Sequence, residues 1–71
     1  MPRTTRAEAE ANMIVHMLAK LQEWDYNITE ETFTEGNRTW YVCVGNKGSQ
    51  TLRATQPTRL KAIKEVYQVA E

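Results

Sequence analysis

Residues 39–55, Thr39-Trp40-Tyr41-Val42-Cys43-Val44-Gly45-Asn46-Lys47-Gly48-Ser49-Gln50-Thr51-Leu52-Arg53-Ala54-Thr55, hold two extended runs on either side of a glycine-rich turn. Successive side chains of a strand point to opposite faces, so Thr39 to Val44 sets Trp40, Val42 and Val44 on one side and Tyr41 and Cys43 on the other. The bulkier set, Trp40, Val42 and Val44, is expected to face the core. Gly45-Asn46-Lys47-Gly48 reads as the turn, because Gly and Asn reach positive φ at little steric cost. The chain then returns over Thr51 to Thr55 with Leu52 and Ala54 inward and Arg53 outward. A hairpin with an apolar face needs a covering layer, and the flanking sequence offers two helices.

Upstream, Thr5-Arg6-Ala7-Glu8 is a capping box that starts the first helix. Ala7, Ala11, Ile14, Leu18 and Leu21, widened by Met17 and Trp24, form an apolar stripe opposite Asn12, His16, Lys20 and Glu23. Asp25-Tyr26-Asn27 breaks the stripe, so the helix ends near Trp24. Residues 28–35, rich in Thr with Ile28 and Phe33, suit a further strand that turns at Gly36-Asn37. Downstream, Pro57 cannot donate in a ladder but is tolerated in a first helical turn, which starts a second helix around Gln56 to Thr58. Leu60, Ile63, Val66, Tyr67 and Ala70 are its apolar stripe; Arg59, Lys61, Lys64, Glu65 and Gln68 are its wet face. The expected fold class is α+β in the order α-β-β-β-α, a three-stranded antiparallel sheet with two helices packed on one face. It forms a single domain over residues 1–71, with residues 1–4 disordered.

A chain of this size buries only about 60% of the surface it exposes when unfolded, and a single small core usually needs a supplement. Cys43 is alone, so an internal disulfide is excluded, and one His with one Cys makes a structural zinc site implausible. No metal and no cofactor are expected; the supplement left is a partner or a second copy, a homodimer. The N-terminal stretch has no apolar signal region and no segment approaches the roughly 18 apolar residues that span a bilayer, so the expected location is the cytoplasm, away from membranes.

The charges are sorted along the chain. Residues 1–36 hold seven acidic residues against three basic ones, residues 37–71 six basic against two acidic, and the formal net charge is +0. The basic half is the hairpin followed by the second helix. Arg59 and Lys61 in that helix's first turn suit an anion held by free N–H groups; the plainer account is exposed, screened charge with Thr58 or Thr55 as the cap. The outer sheet face is expected to show Tyr41 and Arg53 among Thr39, Thr51 and Thr55, with Lys47 at the hairpin tip. An aromatic beside an Arg on an open sheet can stack bases or anchor a protein. His16 and Cys43 are the residues that could suggest thiol catalysis, but the periodicities place them apart, with no acid to orient a base. The chain is therefore expected not to be an enzyme.

Thr39-Trp40-Tyr41-Val42-Cys43-Val44-Gly45, together with Thr58-Arg59 and Ala62 and the order α-β-β-β-α, is similar to the double-stranded RNA-binding domain. The resemblance implies a hairpin entering a minor groove and a second helix whose basic N-terminus meets phosphates. Leu60 and Ile63 stand where that family carries further bases, and the first helix carries Glu8, Glu10 and Glu23. The expected function is a small non-enzymatic regulator or inhibitor that docks on a larger protein or nucleoprotein complex. Its binding residues are Tyr41, Lys47, Arg53, Arg59, Lys61 and Lys64. The alternative is direct binding of DNA or RNA, with Arg53, Arg59, Lys61 and Lys64 on phosphates.

Overall fold

The first helix begins at the capping box: the Thr5 hydroxyl accepts a hydrogen bond from the Glu8 N–H at 3.1 Å, and α1 runs Arg6–Glu23. The computed structural model describes residues 5–71, so the disorder expected of residues 1–4 lies outside the described residues. α1 ends in a Schellman arrangement. Trp24 is the C-cap and Asp25 takes φ +68°. The Asp25 N–H donates to the Gln22 carbonyl at 3.0 Å, and the Tyr26 N–H to the Leu21 carbonyl at 2.9 Å. The sequence shows Asp25-Tyr26-Asn27 only as a turn; its bonds also drop the Tyr26 ring beside fully buried Leu21 in the core.

Three strands follow, β1 (Asn27–Glu35), β2 (Arg38–Lys47) and β3 (Gln50–Gln56), antiparallel in the order β1-β2-β3. α2 (Arg59–Ala70) closes the chain, its N-terminus capped by the Thr58 hydroxyl, which accepts from the Lys61 N–H at 3.3 Å. The α+β order α-β-β-β-α is the one the sequence implies. Both hairpin turns have two residues, Gly36-Asn37 and Gly48-Ser49, and in each the glycine comes first with φ of +64° or +58°. Asn37 and Ser49 keep negative φ, the pattern of a type II′ turn, whose twist matches that of the strands.

The second turn corrects the expected face of β2. The strand runs through Gly45-Asn46 to Lys47, which places Lys47 opposite Gln50, Gly45 opposite Leu52 and Cys43 opposite Ala54. Partners in register share a face, so Leu52 and Ala54, inward as expected, take Gly45, Cys43 and Tyr41 inward with them. Trp40, Val42 and Val44, expected in the core, lie on the face turned away from the helices. Cys43, expected outside, is 1% exposed. The cause is the approach of α2. A Cβ added at Gly45 would stand 3.2 Å from Ile28 Cδ1 and 3.3 Å from Val66 Cγ1, so a valine or tryptophan row there would hold the helix off. Gly45, Cys43 and Ala54, with Ala62 on the helix, are the small residues that let it in.

One cluster joins Ile14, Met17 and Leu21 of α1 to Ala62, Ile63 and Val66 of α2 and to Cys43, Ala54 and Tyr26. α2 lies over β2 and β3, and α1 packs against α2 and β1. The Trp24 and Tyr67 rings stack with centroids 5.5 Å apart and so tie the end of α1 to α2. Ala7 and Ala11, placed in the α1 stripe by periodicity, are exposed, and the buried residues of the helix are Ile14, Met17 and Leu21.

Two substitutions test these contacts by urea unfolding. Gly45→Ala overpacks the helix–sheet contact against the β-branched Val66 and is expected to destabilise by about 1–3 kcal/mol. Asp25→Gly relieves a left-handed backbone at a position that favours glycine and is expected to stabilise by about 1 kcal/mol.

Candidate interaction surfaces

Because the sheet order follows the chain order, the division of charge along the sequence becomes a division in space. Glu30, Glu31 and Glu35 lie on β1, one edge of the sheet; Arg53 lies on β3, the other edge; Arg59, Lys61 and Lys64 lie on α2, above β2 and β3. The six residues expected to form one binding surface are spread over four places.

Arg59 is committed within the molecule. Its Nε donates to Glu30 Oε1 at 2.6 Å and its Nη2 to Glu30 Oε2 at 3.0 Å, a bidentate pair that joins the first turn of α2 to β1. The hydrogen bonds that Arg59 donates to Glu30 raise its pKa further above its ordinary range. Beside this pair, on the helix side of the sheet, lie Tyr41 and Thr32, lining a shallow open cleft with it. Tyr41 and Arg53, expected together on the outer face, are therefore on opposite faces. Lys47 is about 20 Å along β2 from Tyr41 at the usual rise per residue, with its ammonium 5.4 Å from the centroid of the Tyr26 ring.

Lys61 and Lys64 occupy the outer side of α2 with Gln56, Glu65 and Gln68; the Gln56 amide donates to Glu65 Oε1 at 2.9 Å. Among the described residues no carboxylate lies within 4.0 Å of Arg53, Lys61 or Lys64. Also among the described residues, no group of three or more His, Cys, Asp or Glu is placed to hold a metal ion, and no helix is long and apolar enough to cross a membrane.

Cys43 sits beneath α2 with its thiol pushed up to about 11, chiefly by burial and then by the Glu30 carboxylate, with Arg59 acting in the opposite sense. A thiol held protonated at neutral pH is a poor nucleophile. His16 is exposed on α1, where it lines a groove between the helices with Met13, Met17 and Tyr67.

The sheet face opposite the helices, expected to show Tyr41 among threonines and Arg53, carries Arg53, Thr51 and Thr55 as expected but an apolar row in place of Tyr41, Thr39 and Cys43. Phe33 (41% exposed) pairs in register with Trp40; Val42 lies between Glu31 and Thr55, and Val44 between Thr29 and Arg53. The Arg38 guanidinium stands 5.5 Å from the centroid of the Trp40 ring. Val42 is 4% exposed yet belongs to no cluster with the helices, so what shields it are its neighbours on this same face. The signal that finds this face is the pairing parity of the hairpin, since Leu52 and Ala54 can face inward only if Trp40, Val42 and Val44 do not.

No family model matches the chain, and no curated protein and no solved structure is found to match it.

The buried thiol makes a pH prediction. The folded protein keeps the Cys43 proton to higher pH than the unfolded chain, whose thiol ionises near 9.0, so the unfolded state gains first as pH rises. Stability is expected to be unaffected by this group below pH 9 and to fall by roughly 2–3 kcal/mol on approach to pH 11. Urea unfolding at pH 8, 9, 10 and 10.5 measures it, and Cys43→Ala should remove this part of the decline.

Proposed function

We propose that the chain is a small non-enzymatic binding module, a regulator or inhibitor that docks on an acidic surface of a larger protein assembly through the basic side made by β3 and α2. The observation that carries this reading is the set of cations Arg53, Lys61 and Lys64, which among the described residues form no ion pair within 4.0 Å although Glu65 lies between them, and which stand on the side of the molecule away from the acids of β1. Fields of this kind steer association and select partners more than they add affinity. Nucleic acid is a weaker match. Its affinity comes from many phosphates neutralised at once, and a molecule of formal charge +0 with an acidic flank offers few cations to do it. The module is taken to act in the cytoplasm, where a lone thiol such as Cys43 stays reduced.

Direct binding to RNA or DNA is the second reading. It is supported by Lys61 and Lys64 following the capped start of α2, where the double-stranded RNA-binding domain meets phosphates. Against it stands Arg59, which would have to leave or share its two hydrogen bonds to Glu30.

Affinity capture from lysate, with and without nuclease, separates the two. A specific protein should survive nuclease, weaken as salt is raised, and be lost from the double variant Lys61→Glu, Lys64→Glu. Recovery of nuclease-sensitive material alone overturns the protein-docking reading.

A further inference from the structure

The sheet is a layer with helices on one side only, yet its other side is built from exposed Phe33, half-buried Trp40 and Val44, and Val42, which its neighbours on that face bury; among the described residues no helix or strand covers them, and only the Arg38 guanidinium stands over Trp40. We propose that a second copy of the chain covers this face, sheet against sheet, about a two-fold axis running parallel to β2. This goes beyond the docking role of the β3–α2 side: it takes Arg53 into the contact between copies and leaves Lys61 and Lys64 of α2 free on the outside of the pair.

The charges on the face specify the occupant. Besides Glu35 and Arg38, partners in register at the Trp40 end of the face, Glu31 marks the β1 margin and Arg53 the β3 margin, on either side of the apolar row of the central strand. Neither has an oppositely charged group within 4.0 Å among the described residues. A two-fold axis parallel to β2 lays the β1 margin of one copy over the β3 margin of the other, as a closed symmetric pair requires the same patch on both sides. Glu31 of each copy then faces Arg53 of its partner, twice. Glu31 lies in the row of Val42 and Arg53 in the row of Val44, an offset of about 7 Å along the strands that an arginine side chain spans. Trp40, Val42 and Val44 lie near the axis, each meeting its own copy, at the roughly 10 Å separation of packed sheets. An unrelated acidic or basic partner would satisfy one margin and oppose the other; a second copy satisfies both.

The size of the face sets the strength. Ten residues of β2 across three strands make about 450 Å² of plan area, so the pair covers about 900 Å², below the roughly 1,600 Å² of a standard stable interface. The dimer is therefore weak and concentration-dependent.

Sedimentation equilibrium from roughly 10 μM to 1 mM should show the mass climbing from 8.2 kDa towards twice that value, in keeping with an interface of this size. Glu31→Arg alone and Arg53→Glu alone should each weaken association about tenfold or more by setting like charges face to face. An equimolar mixture of those two variants should associate again, within about threefold of the unaltered chain, because every facing pair is then opposite in sign. Trp40→Glu should be monomeric, with circular dichroism showing that it folds. A chain that stays at 8.2 kDa throughout, or a dimer whose affinity ignores both charge reversals and shows no recovery on mixing, overturns the proposal.

Discussion

The close approach of α2 to the sheet at Gly45 is the constraint on which the rest of the structure depends. Ile28, Tyr26 and Val66 all come within van der Waals distance of the place a Cβ would take at that residue. The neighbours on the same face, Cys43 and Ala54, are small as well, and Ala62 answers them from the helix. Close packing of this kind gives interiors their density and makes them sensitive to a single added methyl group. Here it also decides orientation. With one face of β2 reserved for small residues, the large ones have only the other face, and the strand's period of two carries that choice along its length.

The electrostatics follow from the same arrangement. α2 lies over β2 and β3, and its first turn reaches across to β1 through Arg59 and Glu30. This ion pair joins the basic half of the chain to the acidic half. With Arg59 48% exposed it adds no more than about 1 kcal/mol to stability, the usual worth of a surface pair. Its larger consequence is for function, because it takes from the solvent-facing basic set the residue that sits nearest a helix N-terminus. Of the basic residues on this side that remain, Lys61 and Lys64 lie along the outer side of α2 and Arg53 at the β3 edge.

The sequence declares the elements well and the face of β2 badly, and the difference is physical. Helix caps are local: Thr5 and Thr58 accept from N–H groups three residues on, so a short window finds them. Strand order and the helical stripes are nearly as local. The face of β2 is not: a four-residue loop over Gly45–Gly48 and the two-residue loop Gly48-Ser49 both set Leu52 and Ala54 beside odd-numbered residues of β2, so an inward Leu52 and Ala54 conflict with an inward Trp40, Val42 and Val44, and only pairing across the turn reveals it. Gly45-Asn46-Lys47-Gly48 holds two glycines of different purpose. Gly48 turns the chain at φ +58°, whereas Gly45 makes room for α2, and nothing in their immediate surroundings tells them apart. The candidate site has the same origin: Tyr41 beside Arg53 on the outer face requires Trp40 in the core, and the register sets Tyr41 and Arg53 on opposite faces.

Once the parity is right, the composition of β2 takes on a further meaning. An antiparallel sheet with one wet face shows a clean alternation of apolar and polar residues, while strands covered on both faces read as near-continuous apolar runs. Trp40-Tyr41-Val42-Cys43-Val44 is such a run. Its odd-numbered members face the helices and its even-numbered members meet only their neighbours on the other face of the sheet, where β1 and β3, at the edges, add Phe33 to Thr, Glu and Arg. The central strand thus has the composition of a middle layer in a molecule with only two layers. A purely solvated face would favour Thr or Lys at positions 40, 42 and 44, because an apolar row with no layer over it brings an aggregation risk without a gain in core packing. The acidic margin at Glu31 and the basic margin at Arg53 limit that risk by restricting which surface can approach, and they leave the complementary one as the surface that fits.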